Sequence, residues 1–221
     1  MSNENLTEKI LKDGCSIASK HILKYPFPWQ AIEKIPDIIS NIIDELSEDF
    51  EKISEGVYVF RGFKLPDSVK IEGRAVICEG AQLRHGAYLR GEVIIGKGAV
   101  VGNSCEIKNS ILYDQACVPH FNYVGNSIIG QHAHLGAGAI ISNLKINSSS
   151  VKVNIKGEKI DTGLRKMGAV LGKNVEVGCG SVLNPGTIIY PNSIIYPLSC
   201  VRGTIPENSI YKQSGIFSKN L

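Results

Sequence analysis

From about residue 57 onward, apolar residues recur every six positions. The series Leu65, Ile71, Ile77, Leu83, Leu89, Ile95, Val101, Ile107 runs without a miss. In a chain that is 43% hydrophobic, eight such hits arise by chance roughly once in a thousand trials, so the period reflects structure. Four residues further on stand Val69, Ala75, Ala81, Ala87, Val93, Ala99, Cys105 and Ile111, all but the last small or valine. The large series continues through two five-residue steps as Leu112, Val118, Val124, Ile129, Leu135 and Ile141. It then pauses and resumes at Leu171, Val177, Leu183, Ile189, Ile195 and Val201, with Val175, Ser181, Thr187, Ser193 and Ser199 at the small positions.

A large residue alternating with a small one in hexads predicts a parallel β-helix. Each hexad is one short flat face, and three hexads close one coil. The large residue fills the prism and the small one fits the corner. Gly96, Gly102, Gly130, Gly136 and Gly172 are expected to relieve crowding at turns. The fold class is therefore mainly β, a solenoid over residues 57–210.

Residues 142–170 interrupt the repeat. In "VKVNIKGEKI" lysines alternate with valine and isoleucine around a turn-like Lys156-Gly157-Glu158-Lys159, which predicts a β-hairpin protruding from the coil. This loop carries Lys145, Lys152, Lys156, Lys159, Arg165 and Lys166, the densest positive charge in the chain. Residues 1–56 read as a helical segment: Leu6, Ile10, Ile17 and Leu23 lie near helical spacing, and Ile38, Ile39, Ile42, Ile43 and Leu46 form a second stripe. Pro28 suits the first turn of a helix. This segment is expected to cap one end of the solenoid, and residues 211–221 are expected to form a tail.

The register also places the histidines. On the face that begins at Leu83, Val101, Val118 and Leu135, the third positions are His85, Asn103, His120 and Ala137, one per coil. Coils lie ~4.8 Å apart, which sets His85 and His120 on the order of 10 Å apart, a stretch for one metal ion within a chain, although a zinc site shared across subunits stays open. His132 and His134 occupy other positions of their hexads. Pro119, and a five-residue step after Val124, distort the coil where His120 sits.

Composition narrows the partners. A chain of 221 residues with 20% charged residues and a net charge of +3 is ordinary for a soluble domain and gives no argument for nucleic acid. No apolar run approaches the ~18 residues of a membrane span, and Met1–Asn5 does not open a signal peptide, so the expectation is a cytoplasmic protein without a membrane partner. The six cysteines include no CxxC pair, which argues against a thiolate zinc site, and a reducing compartment argues against disulfides.

The segments "LRHGAYLRG", "VVGNSCEIKNSILYD", "VPHFNYVGNSIIG" and "HLGAGAIISN" resemble a known family. They are similar to the acetyltransferase half of bifunctional UDP-N-acetylglucosamine pyrophosphorylase/glucosamine-1-phosphate N-acetyltransferase, a hexapeptide-repeat acyltransferase. The His-x-x-Tyr of "PHFNYVG" followed by "GAGAIISN" is its specific signal. The resemblance implies a left-handed β-helix, a homotrimer with active sites between subunits, acetyl-CoA as co-substrate and an amino-sugar 1-phosphate as acceptor. It places His120 as general base, Arg84 and Lys108 on the sugar phosphate, and Tyr123 and Asn143 on the sugar. Lys152 (or Lys145) becomes the loop lysine. Gly136 and Ala137 would offer N–H groups to the thioester oxygen, and Ala137, Cys179 and Pro197 would line the pantetheine groove. His134 stands where the better-known bacterial enzymes have an asparagine that touches the sugar. Residues 1–56 are too short for the pyrophosphorylase half, so synthesis of the UDP sugar is not expected. No metal site is expected. Two other readings fit the fold: a zinc-dependent hydratase, invited by three clustered histidines, and a non-catalytic trimeric scaffold or regulatory homologue.

Overall fold

The computed structural model describes residues 5–219. The hexads form a left-handed β-solenoid of about nine turns, and four helices precede it. Strands of successive coils pair in parallel and in register: Ile77 lies opposite Ile95, Val118 opposite Val101 and Leu183 opposite Ile141. The solenoid has three walls. The first is an eight-stranded sheet holding Gln82–Leu83, Val100–Asn103, Cys117–His120, His134–Leu135 and Glu176–Val177. The second contains Tyr123–Gly125, Ile140–Ile141, Val182–Leu183 and Cys200–Val201, and the third contains Ile128–Ile129, Ala169–Leu171, Thr187–Ile189 and Thr204–Ile205. Long strands such as Tyr88–Ile95 and Glu106–Leu112 pass from the second wall into the third.

The six-residue series is the inner core. From Ile77 to Val201 every large position lies in one buried cluster, joined by the small positions Ala75, Ala81, Ala87, Val93, Ala99, Cys105 and Val175. Ser181, Thr187, Ser193 and Ser199 are buried as well. Their hydroxyls bond to main-chain carbonyls, as Ser199 Oγ does to Tyr196 O at 2.6 Å, and this satisfies their polarity inside the prism. Leu65 is exposed, so the interior series starts at Ile71, which packs against the core, rather than at Leu65.

Ile111 departs from the series for a reason. The five-residue step to Leu112 turns it outward, onto the third wall. There it joins a column of Val76, Ile94, Ile128, Val170 and Ile188, all fully buried. The strands of this wall are apolar on both faces because something covers the outside. The cover is the N-terminal region: α1 (Leu6–Leu11), α2 (Ser19–Ile22), α3 (Pro28–Glu33) and α4 (Ile35–Asp44). Ile35, Ile38, Ile39 and Ile42 of α4 are buried in this second cluster, at ~1.5–3 kcal/mol each for a side chain of this size. Pro28 stands in the first turn of α3, as its fixed φ favours. Arg74 fastens the layer: Nε meets Glu92 Oε2 at 2.7 Å, while its Nη atoms donate to Ser40 Oγ and Pro36 O at 2.7 and 2.9 Å.

Three boundaries differ from the sequence reading. The helical segment covers a wall and not an end, and it stops before Phe50–Ser54, a strand that pairs antiparallel with Val57–Phe60 and borders the first coil. Residues 211–221 are not a tail throughout, because Ser209–Lys212 and Gly215–Ser218 form a closing hairpin. The inserted loop ends at residue 168, since Ala169–Leu171 is already back in the coil. The loop hairpin itself is present, Lys152–Ile155 with Glu158–Asp161, turned by Lys156 and Gly157 at φ 51 and 89°. It does not protrude freely: Val151 and Val153 are fully buried against the third wall.

Glycine acts between coils more than at turns. Gly96, Gly102, Gly130, Gly136 and Gly172 all lack a positive φ. A Cβ at Gly102 would lie 1.6 Å from Pro119 O on the next coil. Alanine at that position forces two hydrogen-bonded coils apart, and Gly102→Ala is expected to cost about 3 kcal/mol or more. Gly138 has φ +70° and open space around its Cβ position, so Gly138→Ala should cost only about 1–2 kcal/mol. Urea unfolding of both variants checks the difference; equal losses contradict the coil contact.

Candidate active site

One column of side chains runs along the corner between the first and second walls. Asn103 lies opposite His120 in register, and Asn103 Nδ2 donates to His85 O at 3.0 Å. Gly138 N donates to His120 O, Gly180 N to Ala137 O and Leu198 N to Cys179 O, all at 2.9 Å. These bonds stack His85, Asn103, His120, Ala137, Cys179 and Pro197 coil upon coil. The positions assigned separately to a base and to a pantetheine groove are thus one continuous line. The N–H groups differ along it. Gly136 N already donates to Val177 O at 2.6 Å, so it is not free to meet a thioester oxygen. Among the described residues, the Ala137 N–H donates to no protein oxygen, which leaves it as the backbone donor of this stretch.

The second wall carries a polar cluster. Arg90 and Lys108 are Cα partners on adjacent coils, and Gly125 follows Lys108 on the next. Arg90 Nε meets Glu106 Oε1 at 2.5 Å. Lys108 is held below the usual lysine range by burial first, then by the like charges of Arg90 and Lys166, with Glu106 opposing. Arg90 and Lys108 share one carboxylate, Glu106, and the charge of Lys166 reaches Lys108, an arrangement that favours a bound anion. The Tyr123 phenol is pushed up by burial and by Glu106, against the pull of Arg90 and a hydrogen bond with Asn143. Asn143 Nδ2 donates to Asn126 Oδ1 at 2.7 Å. A Cβ at Gly125 would sit 2.6 Å from Tyr123 Oη and 2.7 Å from Asn143 Nδ2, so only glycine lets these two groups meet.

His120 closes the first wall and Tyr123 opens the second. His120 and Gly125 are separated by no more than ~17 Å of extended chain. His120 therefore lies on the first wall, one corner along the chain from the sugar-contact candidates and the cationic cluster of the second.

Not every candidate converges there. Arg84 lies on the first wall, its Nη2 3.3 Å from Gln82 Oε1, and does not neighbour Lys108; Arg90 does. Lys152 faces Asp161 across the hairpin. Lys145 Nζ donates to Ser149 Oγ and Ser150 O at 2.6 and 3.1 Å. The loop cation whose charge reaches Lys108 is Lys166, on the returning limb where Lys166 bridges Leu144. One signal for Arg90 was available: a step back of one eighteen-residue coil from Lys108 lands on it. His134 Nδ1 lies 2.9 Å from Glu176 Oε2 on the next coil, so its imidazole is already engaged. His132 is a corner residue at φ 57°. Among the described residues no three His, Cys, Asp or Glu side chains come together to hold a metal ion, all six cysteines are free, and no helix is long and apolar enough to cross a membrane.

A triangular left-handed solenoid of hexads is the fold of the hexapeptide-repeat acyltransferases. The model of the GMPPB C-terminal domain matches residues 71–196, more than half of the chain, and the chain belongs to that family. It is 34% identical over 211 residues to the bifunctional protein GlmU of Methanococcus aeolicus, covering 87% of this chain and 47% of that one. It is 35% identical over 138 residues to the bifunctional sugar-1-phosphate nucleotidylyltransferase/acetyltransferase of Sulfurisphaera tokodaii, covering 54% of this chain and 34% of that one. The chain thus spans between a third and a half of these relatives' length. Among solved structures it is similar to a point mutant of AntD, an N-acyltransferase from Bacillus cereus in complex with dTDP-4-amino-4,6-dideoxyglucose and coenzyme A. That match has a TM-score of 0.41 at 14% identity and covers 78% and 89% of the two chains.

Proposed function

We propose that this chain is an acetyl-CoA-dependent N-acetyltransferase acting on an amino-sugar 1-phosphate, with His120 as general base and the site completed between subunits of a homotrimer. The observation that carries the reading is the corner between two walls: His120 ends the first, and Tyr123, with Arg90 and Lys108 on the preceding coils, begins the second, where the charge of Lys166 also reaches Lys108. A dianionic phosphate suits the cations, and a sugar ring suits the phenol and the carboxamide. The relatives in Methanococcus aeolicus and Sulfurisphaera tokodaii support the acetyltransferase class.

The chemistry follows from the groups in place. The sugar amine attacks the thioester carbonyl carbon, and His120 accepts the proton the nitrogen loses. The carbonyl oxygen gains charge and meets the Ala137 N–H. Collapse of the tetrahedral intermediate breaks the C–S bond, and the departing thiolate takes the proton back from His120. The amide and coenzyme A thiol are the products. Acetyl-CoA lies along Ala137, Cys179 and Pro197.

An acceptor screen tests the reading. With acetyl-CoA present, thiol release is expected with glucosamine 1-phosphate or galactosamine 1-phosphate and not with the unphosphorylated sugars. Turnover that is indifferent to the phosphate, or confined to UDP-linked amino sugars, refutes the assigned acceptor.

A further inference from the structure

The corner that bears His120 is held by a single buried carboxamide. Asn122 is 3% exposed. Its Oδ1 accepts from His120 N at 3.0 Å and lies 3.6 Å from Cys105 Sγ on the preceding coil. Its Nδ2 donates to Gly136 O at 2.8 Å and to Ala139 O at 3.1 Å on the following coil. Its own N–H and carbonyl are engaged too, with Cys105 Sγ and Glu106 N. One acceptor and two donors on a short side chain are the asset of asparagine, and here all of them are used across three coils.

The partners are not random main chain. The His120 N–H bond closes the turn in which Phe121 takes φ 53°, a conformation costly to a bulky residue. The two donated bonds fix the carbonyls that flank Ala137, whose N–H stands open. Asn122 therefore ties the proposed base to the proposed oxyanion donor through one rigid link, buried inside the coil.

We propose that Asn122 is a positioning residue, which sets His120 against the Ala137 N–H. The inference rests on the acetyltransfer reading and adds a residue to it. Replacing the carboxamide leaves both substrates' contacts in place but frees the base to drift. A misplacement near 1 Å costs about 10²-fold in rate, so Asn122→Ala is expected to lose that much in kcat, with KM for acetyl-CoA and sugar phosphate within about twofold of wild type.

Asn122→Asp adds a test that a merely structural role does not move. Its carboxylate would face two carbonyl oxygens in a buried site, so its folded pKa is raised above the ordinary carboxylate value. When protonated it still donates one hydrogen bond; as pH rises it ionises and repels the Gly136 and Ala139 carbonyls. The kcat profile of Asn122→Asp should therefore fall on the alkaline side, where the wild-type profile stays level. Both variants are assayed below their melting temperatures, with circular dichroism as the check on fold. Wild-type kcat and an unchanged pH profile in folded variants overturn the inference while leaving the acetyltransferase reading intact. Failure of both variants to fold also overturns it, because the role is then architectural. A wild-type chain inactive with every acceptor overturns the reading, and this inference with it.

Discussion

Turnover of the His120→Ala variant is expected to fall by about 10²–10⁴-fold, the usual contribution of a positioned general base. The fold should survive, because His120 is exposed and the hydrogen bonds that hold its corner run through its main chain and Asn122, not its ring. KM for the sugar phosphate should change little, since the cations of the second wall are untouched. Steady-state kinetics with a thermal melt on the same sample separate these outcomes. Full activity in a folded variant sinks the mechanism.

The second large effect concerns the anion. Arg90→Ala and Lys108→Ala should each raise KM for an amino-sugar 1-phosphate by about 10–100-fold, the worth of one charge-assisted hydrogen bond. Arg84→Ala should change it by less than about threefold, because Arg84 bonds Gln82 and is not in the Arg90–Lys108 column. The pH dependence has a defined sign. Lys108 sits below the usual lysine range through burial and the charges of Arg90 and Lys166. It therefore loses its proton earlier than an ordinary lysine as pH rises, and affinity for the phosphate should weaken on the alkaline side. Binding of the sugar phosphate measured by calorimetry across that range checks it, and Arg84→Ala behaving like Arg90→Ala would contradict the geometry.

The contrast between Arg84 and Arg90 shows where linear reading stops. Both are arginines in "LRHGAYLRG", six residues apart, so they occupy equivalent places on successive walls. Matching motifs along the chain does not choose between them. The eighteen-residue coil offers Arg90 as a partner of Lys108, and the register of the folded coils makes the two neighbours. The same holds for the loop. Its lysines were visible as a group, yet only the return of the chain through Lys166 and Met167 to the coil decides whose charge reaches Lys108. Gly136 looked like an oxyanion donor until the next coil claimed its N–H through Val177.

Ile111 makes a similar point about the core. Ile94–Ile95, Ile111–Leu112 and Ile128–Ile129 are buried on both faces of their strands, while the six-residue series accounts for only one residue of each pair. What covers the outer face was not legible. A helix with four isoleucines on one side pairs with any apolar surface, and an open solenoid end is one as readily as a wall. The column of Val76, Ile94, Ile111 and Ile128 settles the choice by offering a continuous match along α4.

The sequence alone determined the period, and with it the coil, the inner core and the place of His120 in a column with Asn103 and Ala137. Those follow from local geometry: an inward side chain every six residues must be apolar, and its register fixes what lies two positions on. The tertiary structure decided which cations meet, which N–H groups remain open, and that Asn122 links them. These depend on contacts between coils, where residues seventeen or eighteen positions apart, or forty-two across the loop, are neighbours. Hydrogen bonds across that distance are satisfied by the whole fold, and no local stretch of the chain records them.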